Sequence, residues 1–146
     1  MKILTKEQLT ALRDIITPDN LQSADENINA VSLFIDGVAD LNTKTVGIGG
    51  VFLGENNEEL SRFSEYLDDA TNNEAEYSAL IRGLELGLEL NIMDIKIYAD
   101  SELVVKQVNG EYKVKHERMR PLHRKAIALL RQYSNWSVQH VPRYDC

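Results

Sequence analysis

The segment Thr-Asn-Asn-Glu-Ala-Glu at residues 71–76 opens the stretch of sequence that decides the fold. Thr71 is followed three residues later by Glu74, a capping-box signature that marks the start of a helix. Apolar residues then recur at helical spacing, and Gly83 and Gly87 lie on the same side as the leucines. Because each glycine inside a helix costs about 1 kcal/mol relative to alanine, the pair predicts a helix packed closely against a sheet.

Two apolar runs, at residues 31–36 and 95–100, each end in an aspartate, Asp36 and Asp100. Glu76 would lie in the first turn of the helix, near its positive end. If the two strands are neighbours and the helix packs on them, these three carboxylates converge. Carboxylates gathered in a fold core are costly unless a cation compensates their charge, and hard oxygen ligands suit Mg²⁺ or Mn²⁺. The sequence therefore predicts a metal site.

The order of the remaining patterns predicts an α/β domain. Three antiparallel strands are followed by alternating helices and strands, which indicates a five-stranded mixed sheet with helices packed on it. Trp136, at the start of the last strand, is expected in the core. The predicted strands are 31–36, 47–53, 60–66, 94–99 and 136–141, the predicted helices are 72–90, 101–109 and 118–133, and 37–46 is expected to be a loop.

Composition indicates a single globular domain. The chain has 146 residues, of which 43% are hydrophobic and 27% charged, and it has no apolar run near the length that spans a bilayer. Residues 1–28 are interpreted as an amphipathic helix and an acidic linker, followed by the main domain at 29–146. A single cysteine, Cys146, excludes an internal disulfide, so we expect a cytoplasmic protein. We also expect a monomer, because no long apolar helix face is left over once the sheet is covered.

Charge is distributed unevenly. The formal net charge is −7, yet residues 106–131 carry eight Lys or Arg against two Glu, a local balance of +6 that leaves −13 for the rest. A basic segment in an acidic protein can steer a polyanion to one face. A solvated helix with mixed charges is the alternative interpretation.

Four motifs in order resemble the type 1 ribonuclease H family, in its short bacterial and archaeal form without a basic protrusion. They are Asp36-Gly37, the asparagine pair and glutamate within 71–76, Asp100-Ser101, and His-Val-Pro-Arg at 140–143. The resemblance covers roughly residues 31–143. It implies a ribonuclease H-like fold and a hydrolase, an endonuclease that cuts the RNA strand of RNA/DNA hybrids.

The resemblance also implies a cofactor and site residues. Two Mg²⁺ or Mn²⁺ ions would bind with the substrate at Asp36, Glu76 and Asp100, with Asp36 bridging both and Asp145 as a further candidate ligand. For Asn72, simple helix capping is the alternative. The implied substrate-binding residues are Gly37, Asn42, Thr71, Asn72, Asn73, Ser101, Lys113, Lys115, Arg118 and Arg143.

The sequence also departs from the family pattern. Glu102 stands where many relatives have glutamine, which puts a minor-groove contact there in doubt. The family has a fourth carboxylate on a final helix beyond its His-Val-Pro-Arg motif, whereas this sequence ends three residues after Arg143. We therefore expect the final helix to be missing and the activity to be weakened.

Two alternatives to an active ribonuclease H remain at this point. One is a catalytically impaired module of the same fold that binds hybrid, duplex nucleic acid or a protein partner. The other is a different metal-dependent nuclease of the wider superfamily, such as a resolvase or a transposase-like fragment. Cleavage of hybrid against plain duplex separates the ribonuclease from the other nuclease, and metal affinity without turnover would mark the module.

Overall fold

The structure is a computed structural model that describes residues 30–40, 45–68 and 70–142, with the side chains of 38–40 excepted. The predicted N-terminal helix and linker at residues 1–28 lie outside this part of the chain, and their separation from the main domain stays a prediction. The described residues form five strands and three helices.

The five strands form one mixed sheet in the order β3-β2-β1-β4-β5. β1 pairs antiparallel with β2 and parallel with β4, so the sheet changes from antiparallel to parallel pairing at β1. The predicted mixed sheet is confirmed. In chain order the elements are β1 (Ala30–Asp40), β2 (Thr45–Leu53), β3 (Glu59–Asp68), α1 (Asn72–Glu89), β4 (Asp94–Ala99), α2 (Glu102–Val108), α3 (Arg120–Leu130) and β5 (Asn135–His140).

Two predicted boundaries are wrong. The loop expected at 37–46 is largely strand, because β1 continues to Asp40 and keeps its antiparallel pairing with β2 as far as Asp40 opposite Thr45. This extension depends on the partner strand, which a local pattern does not reveal. The last helix is also shorter than expected, and proline occupies its first turn, a position where the missing N–H costs nothing.

Helix α1 packs on one face of the sheet through its glycines. A Cβ at Gly83 would lie 2.6 Å from Leu33 Cδ2 on β1, so the predicted close approach to the sheet is confirmed there. Gly87 packs against a different residue, since a Cβ at this position would overlap the hydroxyl of Tyr133, which follows α3. That hydroxyl donates a hydrogen bond to the carbonyl of Leu84 at 2.7 Å. The glycines therefore bring both β1 and the end of α3 against α1.

The opposite face of the sheet carries exposed aromatic residues. Phe34 is 40% exposed and stacks on Tyr98 with 4.7 Å between ring centroids. Trp136 lies on the other face, the one that carries the core, beside buried Ile95 of β4. It is 37% exposed, however, so its predicted place in the core is wrong. Among the described strands, β5 lies at the edge of the sheet and has a neighbour on one side only, which leaves a residue at its start open to solvent. Among the described residues, no helix combines the length and the apolar character needed to cross a bilayer.

The packing at Gly87 yields a stability prediction. We expect Gly87→Ala to lower the free energy of unfolding by about 1–3 kcal/mol, because the added methyl displaces the Tyr133 hydroxyl from Leu84. In a Tyr133→Phe background the same substitution should be neutral or stabilising, since alanine is the better helix former once the hydroxyl is gone. Urea unfolding of the four proteins measures this. Equal losses in both backgrounds would contradict the assignment of Gly87 to Tyr133.

Candidate metal centre

Three carboxylates meet where β1 and β4 separate. The two strands run parallel with Ile35 opposite Ala99, so Asp36 and Asp100 come next at the same level. Glu76 reaches this point from the start of α1, and oxygens of the three side chains lie within 4.8 Å of one another. The structure thus brings together the three acids that the sequence singled out. Within the described residues, they are the one group of three or more His, Cys, Asp or Glu side chains placed to share an ion.

The strand context of Asp36 differs from the prediction. Asp36 does not end its strand, because β1 continues beyond it with Asp36 opposite Gly49 of β2. The parallel pairing with β4 stops one residue earlier, at Ile35. Asp36 therefore lies at the fork between the parallel and antiparallel parts of the sheet, where its side chain is exposed, while Glu76 is buried and Asp100 half-buried.

Gly37 lies directly beneath the first turn of α1. A Cβ at this position would come within 2.5 to 2.7 Å of backbone atoms of Ala75 and Glu76, a distance that real Cβ atoms do not reach. Only glycine lets the helix backbone approach β1 this closely. The contact sets the height of Glu76 above Asp36.

The first turn of α1 is fixed by the predicted capping box. Thr71 Oγ1 accepts a hydrogen bond from the Glu74 amide at 3.2 Å, and Glu74 Oε1 accepts one from the Thr71 amide at 3.1 Å. Thr71 is the cap and Asn72 the first helical residue, so the alternative in which Asn72 caps the helix is wrong. The cap satisfies two of the free amides at the helix start and holds Glu76 at the positive end of the helix.

A second hydrogen bond joins the starts of two helices beside the carboxylates. Ser101 is the N-cap of α2, where its Oγ accepts from the Val104 amide at 3.2 Å. The same hydroxyl donates to Asn73 Oδ1 at 3.1 Å. Asn73 is therefore held with its amide oxygen engaged, and the residue after Asp100 is tied to α1. Asn72 is exposed, as is Glu102 in the first turn of α2.

The loop between α2 and α3, residues 109–119, carries the predicted basic contacts. Lys113 and Lys115 are exposed. Arg118 instead forms an ion pair with Glu74 on α1, with 2.8 Å between Nε and Oε2. Within the described part of the chain Oε2 accepts no aligned hydrogen bond, so the contact is an electrostatic one. Sequence reasoning missed this pair, since Glu74 was interpreted only as part of the capping box.

The same loop is held a second time from α1. The hydroxyl of Tyr77 donates to Gln107 Oε1 at 2.7 Å, and Gln107 Nε2 donates to the Lys113 carbonyl at 3.4 Å. Burial raises the pKa of the Tyr77 hydroxyl, which therefore stays protonated and acts as the donor. His123 of α3 packs edge-on against the Tyr77 ring. No sequence pattern links these residues.

Three predicted site residues lie outside the described part of the chain. They are Asn42, Arg143 and Asp145, whose roles stay predictions. The fourth carboxylate and the final helix of the family pattern likewise stay untested.

The chain is similar to known proteins in both sequence and fold. A family model described as reverse transcriptase-like matches residues 34–145. Ribonuclease HI of Halobacterium salinarum is 33% identical over 113 residues, which cover 77% of this chain and 57% of that protein. Its structure has a TM-score of 0.75, with 32% identity, 78% of this chain and 86% of that chain covered.

Two further solved structures have the same fold as this chain. The N-terminal ribonuclease H domain of Mycobacterium tuberculosis Rv2228c superposes with a TM-score of 0.74 at 34% identity, covering 78% of this chain and 83% of that one. LC11 ribonuclease H1, solved in complex with an RNA/DNA hybrid, gives 0.71 at 36% identity, with 77% and 86% covered.

The fold and the acidic site place this chain among ribonuclease H-like α/β proteins. More narrowly, the chain belongs to the ribonuclease HI family. It spans 57% of the Halobacterium protein and 30% of the bifunctional protein Rv2228c.

The contact at Gly37 yields a prediction with a matched control. We expect Gly37→Ala to lower the free energy of unfolding by about 2–3 kcal/mol, because backbone rather than a flexible side chain blocks the methyl. Gly47→Ala on the paired strand should change it by less than about 0.5 kcal/mol, since nothing lies within 4 Å of a Cβ there. Urea unfolding measures both. Similar effects of the two substitutions would contradict the assigned contact.

Proposed function

We propose that this protein is an endonuclease that hydrolyses the RNA strand of RNA/DNA hybrids with the help of two divalent ions, Mg²⁺ or Mn²⁺. The observation that carries the proposal is the convergence of Asp36, Glu76 and Asp100 within 4.8 Å. Membership of the ribonuclease HI family and the hybrid complex of LC11 ribonuclease H1 support the substrate class.

The donor set fits a hard divalent cation. Each of the three side chains offers a carboxylate oxygen, the ligand that magnesium and manganese prefer. Three negative charges at this spacing repel one another, and a divalent cation offsets that repulsion. Asp36 is the exposed member and so the one accessible to both ions, while the buried Glu76 and half-buried Asp100 line the inner side. When bound, two such ions supply positive charge that acidifies an attacking water and stabilises the leaving 3′ oxygen.

The protein's own residues position the substrate. Asn73 has its amide oxygen engaged by Ser101, which leaves its N–H groups to donate toward a base edge or sugar. Gly37 contributes backbone with no side chain beside the carboxylates. Recognition of the ribose 2′ hydroxyl, which distinguishes RNA from DNA, is assigned to this group of backbone and polar side chains.

The basic α2–α3 loop supplies contacts to the phosphate backbone. Lys113 and Lys115 are exposed and carry positive charge in a chain that is otherwise acidic. Such contacts position a duplex without reading its sequence. We propose the same kind of role for Asn42, Thr71, Asn72 and Arg143. That the protein is a cytoplasmic monomer stays a prediction.

Cleavage of a labelled RNA/DNA hybrid in Mg²⁺ and in Mn²⁺ tests the proposal, with double-stranded RNA and double-stranded DNA as comparison substrates. We expect metal-dependent cutting confined to the RNA strand of the hybrid. Asp36→Asn should lower the rate at least about a hundredfold, because a neutral amide is a poor ligand for two cations. Asp94→Asn, which removes an acid at the other end of β4, should leave the rate within about twofold.

Three results would contradict the proposal in different ways. Substantial activity in Asp36→Asn would show that the carboxylate cluster has no essential role in the reaction. Equal cutting of hybrid and plain duplex would point to another nuclease of the superfamily. Hybrid binding without cutting in either metal would indicate a binding module that has lost catalysis.

A further inference from the structure

The α2–α3 loop is attached to α1 at two places. Near its start, two consecutive hydrogen bonds, from Tyr77 to Gln107 and from Gln107 to the Lys113 carbonyl, connect the loop to α1. Near its end, Arg118 pairs with Glu74, and Met119 beside it is buried at 7% exposure. Between the two attachments the loop is exposed apart from half-buried Val114. The attachments therefore set the path of the segment that carries Lys115.

The Glu74–Arg118 pair is unequal in its environment. The Glu74 side chain is 6% exposed and that of Arg118 is 56% exposed. Glu74 also accepts the Thr71 amide through its other oxygen, so its carboxylate cannot turn away without breaking the cap. The fixed partner is thus the helix residue, and the loop residue is the one that is held.

The position of Glu74 has a cost for nucleic-acid binding. Its carboxylate lies in the first turn of α1, two residues before Glu76. By Coulomb's law alone an acid here weakens binding of phosphate groups. The capping box already gives this carboxylate one role, and the contact with Arg118 gives it a second one that offsets its charge.

We propose that Glu74 is a positioning residue that acts through Arg118: the ion pair holds the α2–α3 loop against the start of α1 and so places Lys113 and Lys115 to bind the phosphate backbone. This inference rests on the proposed function for its substrate. It assigns Arg118 to the protein scaffold instead of to direct phosphate contact. An ordered loop binds more tightly because less chain entropy is lost on binding.

Binding of a fluorescent RNA/DNA hybrid, measured by anisotropy in EDTA at one salt concentration, tests whether the Glu74 carboxylate strengthens or weakens hybrid binding. We expect Glu74→Gln to raise the dissociation constant about three- to tenfold, because glutamine keeps the bond to the Thr71 amide but loses the ion pair. Glu85→Gln is the matched control, since it removes one charge from the same helix where Glu85 pairs with Arg82 and Lys125. It should leave binding equal or slightly tighter. Tighter binding by Glu74→Gln would overturn the proposal.

A double-mutant cycle tests whether Arg118 acts through Glu74. Arg118→Gln alone should weaken hybrid binding about as much as Glu74→Gln, and the double variant should be no weaker than either. If Arg118 contacts phosphate directly, its removal would weaken binding further in the Glu74→Gln background. That additive loss would overturn the positioning role.

Hydrogen exchange separates this inference from the proposed function, because it needs no substrate. Amides of residues 109–119 should exchange faster in Glu74→Gln than in the wild type, while those in the middle of α1 should not change. Unchanged loop exchange would overturn the inference even if the hybrid is cleaved. A wild-type protein that binds no hybrid would overturn the proposed function and the role given to the two lysines, and the exchange result would still decide whether the pair holds the loop.

Discussion

The close approach of the α1 backbone to β1 at Gly37 is the constraint on which the site depends. A helix on a sheet normally stands off by the length of its side chains, and Glu76 would then lie too far from strand-borne acids. With no Cβ at Gly37, the backbone at Ala75 and Glu76 comes into contact with the strand. The parallel pairing of β1 with β4 adds Asp100 at the same level. Helix packing and sheet register together therefore assemble the carboxylate cluster.

The start of α1 is also the point where the surrounding loops are joined. Asn73 bonds to Ser101 at the start of α2, and Glu74 pairs with Arg118 in the α2–α3 loop. A helix start offers free amides and positive potential, so it can hold acids and polar side chains in one place. Glu76 of the carboxylate cluster and the loop that carries Lys113 and Lys115 are therefore both attached to the start of α1. In a chain of net charge −7, this arrangement keeps the basic loop beside the acidic site.

The parts of the fold set by local pattern could be predicted from the sequence. The capping box at Thr71 and Glu74 placed the helix start, and the apolar runs ending in Asp36 and Asp100 placed two acids at one level. The predictions that were wrong concern features that depend on residues far away along the chain. β1 extends past Gly37 because β2 pairs with it, and Trp136 is exposed because β5 is at the sheet edge. Contacts such as Tyr77 with Gln107, 30 residues apart, have no periodicity that would reveal them.

If Asp36, Glu76 and Asp100 hold divalent cations, crystals of the protein soaked in Mn²⁺ should show the metal directly by anomalous diffraction. We expect an anomalous peak within bonding distance of oxygens of all three carboxylates, with a second peak on Asp36 when a hybrid is bound. The absence of any peak at the cluster under saturating Mn²⁺ would contradict this expectation, because acids gathered this closely would then serve a purpose other than metal binding.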